Sequence, residues 1–209
     1  MAKTGPFEKY GDVYDNWFEE HQDLYKAELE TIKKLLPSKK ANTLEVGVGS
    51  GIFAAPLGIE TGVDPSRKMA EKARKRGLNV CLGIAEELPF FDDQFDCVLM
   101  VTTICFVDDV LKTLREVFRV LGPGGCLILG FIDKQSQLGK QYESKKQSSR
   151  FYQEASFFCS EEMLEYLKST GFEIASAYQT IVPGNSPDIV LAGYGQGSFV
   201  AIKGMKTIY

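Results

Sequence analysis

The segment Leu44-Glu45-Val46-Gly47-Val48-Gly49-Ser50-Gly51 carries the residue types and spacing best suited to chemistry in this chain. A short apolar run ends in glycines at alternate positions. Glycine has no Cβ, so a ligand can approach the backbone of such a turn closely. A helix that follows the turn leaves its first N–H groups without intrahelical partners, free to meet electronegative ligand atoms. Asp64 ends a second apolar run, a placement that suits a carboxylate accepting hydrogen bonds from a ribose diol in a nucleotide-binding α/β unit. The spacing is G-x-G-x-G. The dehydrogenase fingerprint G-x-G-x-x-G needs glycine at 52, where Ile52 stands. That substitution, with the helix-free last connection described below, argues against a nicotinamide dehydrogenase.

A second candidate set is aromatic. Tyr10, Tyr14, Trp17 and Phe18 share one face of a helical pattern. Such a stripe either packs its helix on a sheet or closes over a ligand, where aromatic faces favour sulfonium or ammonium groups. His21, the sole histidine, follows one turn later and reads either as a general base or as a packing residue. Cys105 lies in an apolar run and reads as a buried thiol before it reads as a nucleophile.

The elements that must position these residues can be read from periodicity. Residues 7–36 form a helical pattern, with Tyr25, Leu29, Ile32 and Leu36 continuing the apolar face until Pro37. Strands are expected at 43–47, 60–63, 78–82, 95–101 and 126–132. A short helix is expected at 51–57, and Ser66 caps another that runs to Gly77. Residues 108–121 give the clearest amphipathic helix, ended by Gly122-Pro123-Gly124-Gly125. Ser160 opens a last helix that closes at Gly171. Two final strands, at 172–182 and 198–203, are joined by a Gly/Pro/Asn-rich loop. Strands alternating with helices predict a mainly parallel, doubly wound α/β sheet of seven strands, the last one antiparallel.

Composition sets outer bounds. A chain of 209 residues suits one domain spanning 1–209. Its 44% hydrophobic and 25% charged residues are ordinary for a globular protein, and a net charge of −4 gives nucleic acid no general attraction. Neither an N-terminal signal core nor the ~20-residue apolar span a membrane helix requires is present. The five cysteines form no C-x-x-C pair. These features together predict a cytoplasmic protein with buried free thiols and no metal site.

In this order the motifs resemble those of class I S-adenosylmethionine-dependent methyltransferases of the small, single-domain prokaryotic kind, over about residues 10–203. Residues 44–51 match E/D-x-G-x-G-x-G, and Gly62-Val63-Asp64-Pro65-Ser66 matches G-x-D-x-S. Residues 83–90 match G-D-A-E-x-L-P-F, residues 95–98 the start of the fourth strand, residues 114–125 L-x-E-x-x-R-V-L-x-P-G-G, and Gly171-Phe172 the late G-F. The resemblance implies a Rossmann-like fold and S-adenosylmethionine as donor, with S-adenosylhomocysteine as product. It implies cofactor contacts from Glu45, Gly47, Gly49, Gly51, Asp64, Pro65, Ser66, Met69, Ala85, Glu86, Met100, Val101 and Thr102.

Departures from the family pattern are also informative. Ile84 stands where relatives carry Asp, so adenine is expected against backbone near Ala85 and walls such as Ile84 and Met69. About twelve residues separate Gly51 from Asp64, which demands a short crossover helix. Cys105 and Phe106 replace a His pair seen after strand four in many relatives.

Methyl transfer from a sulfonium requires alignment and water exclusion above all, so the lack of an acid/base pair does not argue against it. Glu45 is a candidate partner for the methionine amino group, or an orienting group for the loop backbone. The N-terminal helical segment (7–36) is expected to cap the cofactor, and residues 133–158 to cover the acceptor, with Tyr10, Tyr14, Trp17, Phe18, Tyr142 and Tyr152 as acceptor contacts. The insertion holds five basic and three acidic residues with interleaved aromatics, which suggests an anionic or aromatic small molecule, or else a solvated helix with an apolar underside. The basic run Arg67, Lys68, Lys72, Arg74, Lys75, Arg76 reads as the exposed side of its helix. The expected activity is methylation of a small-molecule acceptor. RNA or protein acceptors, and a regulatory protein that binds the donor without turnover, are the alternatives; acceptor identity and oligomeric state are not legible.

Overall fold

The computed structural model describes residues 3–39 and 41–207; Met1 and Ala2, part of the N-terminal stretch read above, lie outside them. The predicted helix over 7–36 is two helices, α1 (Gly5–Glu20) and α2 (Gln22–Lys33). The break has a local cause. The Trp17 carbonyl accepts both the His21 N–H at 3.0 Å and, at 2.8 Å, a bond from His21 Nδ1, which closes the first helix. A kink at Tyr10 precedes Gly11, where an added Cβ would lie 2.8 Å from Met69 Sδ.

Strands β1 (Thr43–Val46), β2 (Thr61–Asp64), β3 (Asn79–Leu82), β4 (Phe95–Val101), β5 (Leu121–Ile132), β6 (Phe172–Thr180), β7 (Leu191–Ala192) and β8 (Phe199–Lys206) form one sheet of order β3-β2-β1-β4-β5-β8-β6-β7. The pairings from β3 through β5 are parallel, while β8 inserts antiparallel between β5 and β6. The antiparallel last strand was expected. The eighth strand was not: β7 adds two residues to β6 at the sheet edge, out of the Gly/Pro-rich connection. Strand order reverses between β1 and β4, so the crevice at their carboxyl ends is the topological switch point.

The crossover after β1 shrinks to one turn, α3 (Ala54–Leu57), closed by Gly58 in the left-handed conformation. Helix α4 (Arg67–Lys75) begins as expected, with Ser66 Oγ accepting from Met69 N at 3.2 Å. Helix α5 (Val110–Val120) is capped by Asp109, and α6 (Gln137–Lys145) opens the 133–158 insertion. Helix α7 (Ser160–Ser169) corrects one reading: its cap is Cys159, while Ser160 donates its hydroxyl to Asp133 Oδ2 at 2.5 Å.

Strand alternation divides the core. Leu44, Val46, Val98, Met100, Leu127 and Leu129 pack toward α5 and α7; Cys97, Leu99, Val101, Cys126 and Ile128 pack toward α1, α2 and α4. The basic α4 does not merely face solvent. Lys72 pairs with Asp12 at 2.7 Å and Asp15 at 2.9 Å, and Arg76 reaches Asp15 at 3.3 Å. Ser50 Oγ donates to the buried Asp15 as well. This cluster fastens α1 across the glycine loop.

Candidate active site

The turn after β1 is held on β2. Gly47 N and Val48 N both donate to Val63 O, at 2.8 and 3.1 Å. Gly47 has φ +70°, and an added Cβ would fall 2.3 Å from Thr103 Oγ1 and Cγ2, so glycine is required there by both backbone and space. Asp64 completes the turn: its Oδ2 accepts from Gly49 N and its Oδ1 from Ser66 N, each at 2.8 Å. Burial pushes the Asp64 carboxyl up to about 6 against these two N–H donors, which favour the carboxylate.

A pocket opens over this turn, lined by Gly47, Gly49, Asp64, Pro65, Ser66, Met69, Ile84, Ala85, Glu86, Val101 and Thr102 among others. Ten of the thirteen residues expected to meet the donor therefore converge on it. Glu86 is also tied down, its Oε1 accepting from Asp108 N at 2.7 Å. The other three stand apart. Gly51 is a packing glycine: a Cβ there would press on Ala73 and Leu78 at 3.3 Å. Met100 points into the opposite core layer because it is one residue out of phase with Val101. Glu45 lies beneath the loop, fully buried, with the Ala54 backbone serving it and Oε2 without a partner among the described residues. Burial holds its proton on well above the usual carboxyl range.

Next to this pocket lies a second cavity of about 130 Å³, enclosed by α1, α2, the end of β4, α6 and the segment after α6. Tyr14, Trp17, Phe18, Tyr142 and Tyr152, five of the six residues put forward above as acceptor contacts, line it. Tyr10 does not; its ring lies against Lys9 and Arg150 instead. His21 is a joint, its ring stacked on Trp17 at 4.5 Å. Phe7, Tyr14, Thr102 and Phe106 line both spaces and so form the wall where they meet. Phe7 packs edge-on against Phe106 at 5.1 Å and Tyr14 at 5.6 Å, while Tyr142 stacks on Tyr152 at 5.0 Å. Thr102 and Ile181, two of three non-glycine residues with positive φ among those described, both border this cavity. Backbone strain of this kind persists where the surroundings enforce it, and it gathers at functional sites.

Sequence reasoning missed Phe7, Phe106 and Glu28 in this lining. Glu28 had a signal: it falls four residues after Leu24 and four before Ile32, on the buried stripe of α2. The basic and aromatic residues of the insertion suggested an anionic or aromatic acceptor; the structure brings the aromatic ones to the cavity and leaves the basic ones outside it. Lys134, Lys140, Lys145 and Arg150 are exposed on the outside, and Glu28 is the only charged residue lining the cavity among those described.

The family model described as a methyltransferase domain matches residues 44–129. An uncharacterised protein of Methanocaldococcus jannaschii is 45% identical over 203 residues, covering 96% of this chain and 98% of its own. A Thermotoga maritima crystal structure, described as a SAM-dependent methyltransferase and possible histamine N-methyltransferase, is 45% identical. It superposes with a TM-score of 0.93 over 98% of this chain and 100% of its own. An uncharacterised methyltransferase of Bacillus subtilis is 35% identical over 159 residues, 70% of this chain and 66% of that protein. The chain belongs to the class I S-adenosylmethionine-dependent methyltransferases. It is an enzyme of that class, and its donor is S-adenosylmethionine. The residues present suit that donor: an open glycine turn, a buried acid at the end of β2 and an apolar wall of Met69, Ile84 and Ala85. No helix among the described residues is long and apolar enough to cross a membrane.

Proposed function

We propose that this enzyme methylates a small molecule held in the aromatic cavity beside the donor pocket. The observation that carries the reading is the shared wall of Phe7, Tyr14, Thr102 and Phe106. A small acceptor seated where these four residues border both spaces lies next to a donor in the adjoining pocket, which is the alignment methyl transfer needs. Bound donor supplies an electrophilic methyl group on a sulfonium whose sulfur leaves as a neutral thioether. The chain contributes position and dryness: α1 and α2 close one side of the cavity, α6 and the following segment the other. Enclosure and an apolar lining suit a compact molecule better than an RNA or protein surface, and the description of the Thermotoga relative as a possible histamine N-methyltransferase accords with a small acceptor.

The contacts to the donor are part of the proposal. Asp64 would take the ribose hydroxyls with the lone pairs its two backbone bonds leave free, and Ile84, Ala85 and Met69 would hold the adenine. The test is S-adenosylhomocysteine formation with panels of small aromatic amines, phenols and thiols, and with bulk RNA and protein. Turnover is expected with small molecules. Turnover with RNA or protein alone would overturn the reading.

A further inference from the structure

The aromatic cavity contains one group that neither the fold nor the donor explains. Glu28 is 4% exposed and lines the cavity, and its side chain makes no hydrogen bond or ion pair among the described residues. A buried carboxyl without a partner costs stability, and an apolar residue in its place on α2 would pack the same stripe at no such cost. The rings of Tyr14, Trp17, Phe18, Phe106, Tyr142 and Tyr152 line the same cavity. Aromatic faces attract cations, and a carboxylate completes a cage for one.

We propose that Glu28 is the counter-ion and proton acceptor for a cationic nitrogen, so that the acceptor is a small amine and nitrogen is the atom methylated. The inference rests on the reading of this cavity as the acceptor site. An ammonium that enters the cage transfers one proton to a Glu28 carboxylate oxygen and becomes a neutral amine. The nitrogen lone pair then forms the new C–N bond as the C–S bond breaks, with that bonding pair staying on sulfur. The nitrogen is again cationic and leaves as the methylated ammonium, and the proton on Glu28 is lost to solvent. Burial pushes the Glu28 carboxyl up to about 8, near enough to an amine for such an exchange. The other titratable groups around Glu28 are Tyr14 on α1, Tyr25 on α2, Tyr142 on α6 and Tyr152 in the segment after α6, and desolvation raises all four. They stay neutral in the range where Glu28 titrates.

The test is binding, without turnover, to protein saturated with S-adenosylhomocysteine. The probes are (2-phenylethyl)trimethylammonium, which is cationic at every pH, and its neutral carbon isostere. At pH 8.5 the cation should bind at least tenfold more tightly than the isostere. Its affinity should fall roughly twentyfold between pH 8.5 and 6.5 as Glu28 takes up its proton. Glu28→Gln should remove both the preference and the pH dependence. Equal affinity for the two probes in the wild type would overturn the role of Glu28 while leaving a small-molecule cavity intact. Binding of neither probe would overturn the cavity reading and this inference together. A cation preference that persists in Glu28→Gln would overturn the assignment to this residue.

Discussion

Replacing Glu28 by glutamine should stabilise the ligand-free protein at neutral pH, because Gln keeps the side-chain shape and has no proton to lose. The carboxyl is raised from its ordinary 4.5 to about 8 by desolvation alone. The folded chain therefore holds a proton that the unfolded chain has already released. The stability linked to this group is fully present below pH 4.5, falls as pH rises toward 8, and is level above that. At about 1.4 kcal/mol per pH unit the full effect is roughly 5 kcal/mol, of which about 3 kcal/mol has accrued at pH 7. Asp64 and Glu45 are displaced in the same direction, so the wild type alone would not isolate Glu28. The difference between wild type and Glu28→Gln does. Urea unfolding of both proteins from pH 4.5 to 8.5, followed by fluorescence of the single tryptophan, Trp17 at the cavity wall, supplies the measurement. The curves should nearly coincide at the acid end and diverge in favour of the variant as pH rises. Parallel curves would refute the argument that an unpartnered buried carboxyl is being held here at a cost to stability.

Three further outcomes are expected. Asp64→Ala should weaken donor binding by about 1.5–3 kcal/mol, the scale of hydrogen bonds to a charged group; calorimetry with S-adenosylhomocysteine reads it, and unchanged affinity would exclude a ribose contact. Gly47→Ala should cost roughly 2–5 kcal/mol of stability, from the positive φ and the collision with Thr103; a thermal midpoint equal to wild type would contradict it. Asp133→Ala leaves the buried Ser160 N–H and hydroxyl and the Gln135 N–H without their acceptor. It should cost roughly 3–5 kcal/mol and speed limited proteolysis within residues 137–158, whereas wild-type cleavage rates would show that Asp133 does not anchor the insertion.

Much of the donor side was legible because its determinants are local. Gly47 and Gly49 declare a turn with positive φ, Ser66 declares a helix start, and Asp64 sits two residues from one of the N–H groups it accepts. Where the pocket lining departs from the expected set, the cause is direction. Met100 and Val101 are neighbours in sequence, yet strand alternation sends one to each core layer. Gly51 carried the right spacing, but its close contacts are with Ala73 and Leu78 of the α4 region. The helical break at His21 was missed because a side-chain bond to the Trp17 carbonyl, not a proline or glycine, makes it.

The sequence by itself determined the class of sheet, the donor and the glycine turn proposed to receive it, because these depend on residues close together in the chain and on backbone conformations only certain residues adopt. The tertiary structure decided the aromatic cavity proposed for the acceptor. Phe7, Tyr14, Glu28, Thr102, Phe106, Tyr142 and Tyr152 come from α1, α2, the end of β4 and the insertion, and no periodicity within one element relates them. Their meeting depends on α1 being fastened over the glycine loop through Asp15, Lys72 and Arg76. It also depends on the insertion being anchored to α7 through Asp133. A carboxyl on an amphipathic helix looks like a surface residue until packing removes the water around it, and only then does its lack of a partner become a chemical feature.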